Sequence, residues 1–187
     1  MALALSHSFA TPRLLHAAVA LALLAGCTAG GLGPDAAERA NIYPANIVPK
    51  SSPAALVMSF DRHCVNAGPT MAAQDGDLRA AGYVPAVDAP RNGARLYVVD
   101  DRRPAVAISA RMCLVHAMAR TGQTERARAY VAETFPEAKP IGTADLGRYV
   151  EQAWAIQGGI LATERRMDAS NRSRYSIILF RPGTAGA

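Results

Sequence analysis

Met112-Cys113-Leu114-Val115-His116-Ala117-Met118 is the stretch from which the fold of this chain can be read. Alternate residues share a face: Met112, Leu114, His116 and Met118 on one side, Cys113, Val115 and Ala117 on the other. A period of two is that of a β-strand. Two segments of the same period precede it, Arg95–Val99 and Ala105–Ser109, joined by the charged turn Asp100-Asp101-Arg102-Arg103-Pro104. The link at Ala110-Arg111 is tight and lacks glycine, so the last two segments also fit one long bent strand. Downstream, Trp154–Thr163 reads as a strand interrupted by a bulge at Gly158-Gly159. Tyr175–Phe180 is the plainest strand, and Glu164–Arg174 between them reads as a polar hairpin loop. Leu146–Gln152 fits neither period.

Helical spacing flanks the strands. Ser52 can cap and Pro53 suits a first helical turn; Leu56, Phe60 and Cys64 then share one face with Val57 alongside. Gly68-Pro69 ends that helix. A short helix at Asp77–Ala81 stops at Gly82, and Tyr83-Val84-Pro85 is extended. After Met118, Thr121 can cap a helix whose apolar stripe is Ala127, Tyr130, Val131, Thr134 and Phe135. The order is α, α, β, β, β, α, β, β with short links. It predicts an α+β fold, an antiparallel sheet of about five strands with helices packed on one face. The expected domain is 52–182, with a tail at 183–187 and a flexible tether at 27–51 from which Ile42, Tyr43, Ile47 and Val48 can dock.

The beginning of the chain concerns its destination. Arg13 supplies the charge of a signal segment, and Leu14–Ala25 is apolar apart from His16, too short to span a bilayer. Leu24-Ala25-Gly26-Cys27 closes that run. The tetrapeptide resembles the lipobox of bacterial lipoproteins. The resemblance implies removal of the signal peptide 1–26 and lipidation of Cys27. It also implies a periplasm-facing protein held on a membrane of the bacterial cell envelope, for which one acyl chain is a weak anchor and two or three are durable. Thr28 in place of Asp favours the outer membrane over the inner, if enteric-type sorting applies.

With Cys27 assigned to lipid, Cys64 and Cys113 remain, and an oxidising compartment favours a disulfide between them. Two separate buried thiols are the alternative. A metal site formed with His63 and His116 is disfavoured, because neighbours on a helix point about 100° apart and residues three apart on a strand face opposite ways. The domain from Ser52 to Pro182 resembles small proteobacterial lipoproteins and exported proteins through Cys64, Gly82-Tyr83-Val84-Pro85 and Cys113; that resemblance implies no activity.

The net charge is +5, with only Lys50 and Lys139 as lysines among 20 basic residues. No basic run interleaved with aromatics occurs, so nucleic acid is not an expected partner. No nucleophile elbow, phosphate-binding loop, dinucleotide fingerprint or metalloprotease motif occurs. The expectation is no catalytic residue, no metal and no cofactor; a pairing of Ser109 with His116 is the one nucleophilic arrangement left open. Arg165, Arg166, Arg172 and Arg174 form the candidate contact with an anionic surface, either phosphate-bearing lipid or an anionic envelope polymer. Read otherwise, they keep a hairpin edge soluble. The function expected is a membrane-anchored binding or interaction module, its partner an envelope protein or anionic polymer. An envelope enzyme with an unrecognised site is the alternative.

Overall fold

A computed structural model describes residues 33–168 and 171–182. The expected signal peptide at 1–26, the expected lipidation site Cys27 and the tail at 183–187 lie outside the described residues. The folded body begins before Ser52. Helix α1 (Pro34–Asn41) is tied down by Asp35, which pairs with Arg79 at 2.7 Å, and by Arg39, which pairs with Asp88 at 2.6 Å. One turn, α2 (Pro44–Ile47), follows. Ile42 and Val48 are buried, whereas Tyr43 and Ile47 are exposed.

Helix α3 (Pro53–Phe60) starts as its sequence requires: the Ser52 hydroxyl accepts a hydrogen bond from Ala55 N at 3.1 Å, with Pro53 in the first turn. It continues without a break as a π-helical turn, Asp61–Val65. The wider turn carries an extra residue, and both His63 and its neighbour Cys64 end up buried. Helix α4 (Met71–Ala80) is longer than the expected 77–81 because Thr70 caps it, accepting from Ala73 N at 3.1 Å. Gly82 ends it at φ +84°. Helix α5 (Gln123–Thr134) does not use the expected Thr121 cap; its N-cap is Gly122, in the left-handed region. Buried Gln123 instead reaches back, accepting from Arg120 N at 2.7 Å and donating to Met118 O at 3.1 Å. Ala127, Tyr130 and Val131 of its stripe are buried, Phe135 partly so, and Thr134 is exposed. No described helix is long and apolar enough to cross a membrane.

The strands are β1 (Val84–Pro85), β2 (Arg95–Val98), β3 (Ala105–Ile108), β4 (Met112–Met118), β5 (Lys139–Pro140), β6 (Val150–Ile156), β7 (Gly159–Met167) and β8 (Ser173–Phe180). They form one sheet in the order β1-β2-β3-β4-β8-β7-β6-β5, every neighbouring pair antiparallel. The α+β class and antiparallel pairing are as expected, but the sheet has eight strands and not about five. Two extra strands are two-residue edges, β1 and β5. The third comes from Trp154–Thr163, which is a hairpin and not a bulged strand: Ile156 pairs with Gly159, and Gly158 turns at φ +86°. The irregularity lies instead between Val150 and Gln152. A side chain at Gly159 would run into the Phe180 carbonyl oxygen, so close backbone approach selects glycine there.

The two faces of β4 divide as read. Cys113, Val115 and Ala117 are fully buried beneath α3, the π turn and α5, in a core with Phe60, Leu161, Tyr175 and Ile177. Met112, Leu114, His116 and Met118 are half-buried on the opposite face. Helices do not keep wholly to one face: Ile42, just after α1, packs with Val98 and Ala105 on the opposite one.

Candidate anion-binding cleft

Four separate segments meet at the Met118 end of β4. Met118 N donates to Pro49 O at 3.0 Å, and the Ser51 hydroxyl donates to Arg102 O, so residues 49–51 lie alongside the β2–β3 turn. That turn is fixed in its own right. Asp100 accepts from Tyr43 N at 3.1 Å and from Asn46 Nδ2 at 2.9 Å, while Asp101 holds Arg103. Arg103 in turn donates to Ala81 O and lies 5.0 Å from the centre of the Tyr83 ring. Arg120 follows β4 on the loop braced by Gln123. Arg172 lies in the β7–β8 turn, where its backbone N–H donates to Asp168 at 3.0 Å.

The result is a cleft of about 500 Å³ lined by Lys50, Arg102, Arg120 and Arg172, with Val48 and Met118 as apolar walls. None of its lining residues is acidic. Among the described residues no carboxylate pairs with Lys50, Arg102 or Arg120. Arg172 lies 3.3 Å from an Asp168 oxygen that Arg174 also holds at 2.9 Å. A concave site lined by one sign of charge concentrates counter-ions, and guanidinium groups offer the planar donor forks that suit phosphate and carboxylate oxygens.

The arginines singled out in the sequence fare differently. Arg165 and Arg166 lie in β7 and Arg174 in β8; the connecting loop is much shorter than Glu164–Arg174. Arg165 pairs with Glu151 at 2.7 Å and Arg166 with Glu164 at 3.1 Å. Only Arg172 of the four also lines the cleft. Exposed pairs of this kind contribute little to stability, but they neutralise the charge that made the group conspicuous.

Cys64 and Cys113 are joined by a disulfide with Cα atoms 5.4 Å apart. The bridge ties the π turn to the middle of the sheet, and both cysteines are fully buried. The two histidines do not converge on it. His63 stacks edge-on against Tyr83, ring centres 5.4 Å apart, and lines a cleft of about 340 Å³ with Arg62, Asn66 and Asp77. His116 is on the opposite face of the sheet, its Nε2 buried without a hydrogen-bond partner. Burial, followed by nearby arginines, pushes both imidazoles down to about 4: Arg62 and Arg103 act on His63, Arg174 and Arg166 on His116. Ser109 does not meet His116, because it closes on Met112 at the far end of the β3–β4 hairpin. Ser176 pairs with His116 across β4 and β8, with no side-chain hydrogen bond between them.

No family model, curated protein or solved structure matches this chain. Its function has to follow from its own residues. Sequence reading missed Lys50, Arg102 and Arg120 because they are far apart in the chain and none belongs to a dense basic run. The only signals were the rarity of lysine and the Arg102-Arg103 pair, which reads as an ordinary hairpin turn.

Proposed function

We propose that this chain is an envelope lipoprotein, anchored through Cys27, whose domain binds anionic groups in the Lys50–Arg102–Arg120–Arg172 cleft. The anchor is supported by Leu24-Ala25-Gly26-Cys27 at the end of an apolar run. The binding role is carried by one observation, the convergence of four cations in a cleft with no acidic lining. The candidate contact with phosphate-bearing lipid or an envelope polymer thus moves from the β7–β8 arginines to this cleft, with Arg172 common to both.

The two lysines make a direct test. Amine acylation of the full chain reports on Lys50 in the cleft and on Lys139 in β5 as an internal reference. Ethyl phosphate should protect Lys50 and leave Lys139 unchanged, and added salt should weaken the protection. Equal modification of Lys50 with and without phosphate would remove the binding role. The anchor is tested separately: a palmitate analogue fed to cells should label the wild type and not Cys27→Ser.

The second reading, an envelope enzyme, has the His63 cleft in its favour, since a perturbed histidine in a cleft is a common mark of an active site. That cleft has no serine, threonine or cysteine in its lining. Its chemistry would therefore be base catalysis by neutral His63, and His63→Gln would abolish a turnover that Arg102→Gln leaves intact.

A further inference from the structure

We infer that the cleft holds the head of a phosphate-headed acyl lipid and that the acyl chain lies along the sheet face beyond Met118. This rests on the anion-binding reading of the cleft and adds the rest of the ligand. Met118 is both a wall of the cleft and the first residue of a row on β4 that continues as His116, Leu114 and Met112. Six residue steps separate Met118 from Met112, roughly 20 Å of strand. Register places Ile178 beside Leu114 and Phe180 beside Met112, with Ala162 and Ile160 of β7 beyond them. The far half of this track is wholly apolar. Leu114, Met112, Phe180 and Ile160 are only partly buried, while Ile178 and Ala162 between them are buried and form its floor. Among the described residues, the helices with most contact to β4, α3 and the π turn, lie on the other face, and Ile42 covers this one only beyond β4, at Ala105 and Val98.

The order of side chains along β4 matches that of the ligand. Cations come first, where a phosphate head would sit. His116 follows, its Nε2 sealed from solvent and lacking a partner, at the level where an acyl lipid carries its ester oxygens. Leu114 and Met112 come last, where the hydrocarbon would lie. A buried nitrogen without a partner is costly unless something hydrogen-bonds to it, and with Ser176 and Glu164 in register beside it this level of the face is the polar one. The head is phosphate and not carboxylate on grounds of charge. Lys50, Arg102 and Arg120 are unpaired among the described residues, and Asp168 serves both Arg172 and Arg174. A single carboxylate leaves most of that excess unmatched. A phosphomonoester brings a charge of about −1.5 to −2 and three strong acceptor oxygens.

The test uses the full chain in digitonin micelles, which contain no phosphate. The probe is dodecyl phosphate with a photoreactive diazirine near the end of its chain; the control is dodecyl maltoside with the same diazirine. Irradiation with the phosphate probe should label the peptides containing Met112, Leu114 and Phe180, and the maltoside should label them several-fold less. Combining Arg102→Gln with Arg120→Gln should reduce both this labelling and ethyl phosphate's protection of Lys50 by roughly tenfold or more, as expected for lost hydrogen bonds to a charged group. Leu114→Gln should reduce the labelling and leave the protection of Lys50 unchanged. If ethyl phosphate protects Lys50 but the face is unlabelled, is labelled equally by both probes, or is indifferent to Leu114→Gln, the acyl track is wrong and the anion cleft stands. If there is neither protection nor labelling, both fall.

Discussion

Odd and even residues of β4 belong to two different surfaces. On the helix-covered side, Cys113, Val115 and Ala117 are fully buried, joined to the π turn by a disulfide and to β8 by Tyr175 and Ile177. On the other side, Met112, Leu114, His116 and Met118 keep partial exposure and lead into a cleft of unmatched positive charge. Neighbouring residues of one strand thus serve different ends: one side packs into the cross-linked core, and the other stays half-buried beside the cleft. Alternation of hydrophobicity is usually taken to separate core from solvent. Here it separates a core from a second apolar surface that is left partly open.

The division can be attacked from its strongest side first. Phe60→Ala empties a fully buried site where the ring meets Tyr130 edge-on at 6.1 Å, and it should cost about 3–5 kcal/mol in denaturant unfolding. Leu114→Ala, on the half-buried face, should cost less than half as much. Equal losses would mean that both faces carry the fold.

The bridge comes next. Cys64→Ser and Cys113→Ser should destabilise equally, by about 2–5 kcal/mol. Alkylation of the protein isolated from cells under denaturing, non-reducing conditions should find neither residue free. Two alkylated cysteines would remove the cross-link from the helix side.

Acid probes both faces at once. His63 and His116 titrate near 4 in the fold, below the unfolded value of about 6.5. The unfolded chain therefore binds more protons between these limits, and stability rises with pH across that window. It should be fully present above about pH 6.5 and lost as pH falls towards 4, with a ceiling of roughly 3 kcal/mol per histidine at 1.36 kcal/mol per unit. His63→Gln and His116→Gln should each remove part of the slope. An unchanged slope in His116→Gln would show that its imidazole is solvated.

The smallest effect belongs to the paired arginines. Arg165→Gln and Arg166→Gln should each shift stability by less than about 1 kcal/mol and leave phosphate protection of Lys50 unchanged. A large loss of protection would return the binding role to the β7–β8 strands.

Much of this architecture is visible in local pattern. The face division of β4, the Ser52 cap, the Gly82 stop and the inward Cys64 are all set by residues within a few positions of one another. What escaped was decided by partners distant in sequence. Val84–Pro85 and Lys139–Pro140 are too short and too proline-bound to show a period, and they become strands only because β2 and β6 offer them an edge. Gly158-Gly159 resembles a bulge because apolar residues continue on both sides; it is a turn because Gly159 must pass close to Phe180. The arginines of β7 and β8 drew attention through their density, but Glu151, Glu164 and Asp168 cancel them. The cleft has no local signature, since Lys50, Arg102, Arg120 and Arg172 meet only after the sheet has formed.

The hydrogen bond from Met118 N to Pro49 O also defines a load path. A pull on the N-terminal end of the domain would first strain the Asp35–Arg79 and Arg39–Asp88 pairs. Tension would then reach the sheet at two places, the edge strand β1, where Pro85 O accepts from Arg39 at 3.1 Å, and the end of β4, an interior strand flanked by β3 and β8. Behind β4 the disulfide spreads that force into the π turn and α3. Traction along this path would strain the Lys50 wall of the cleft before it reached the disulfide-tied core.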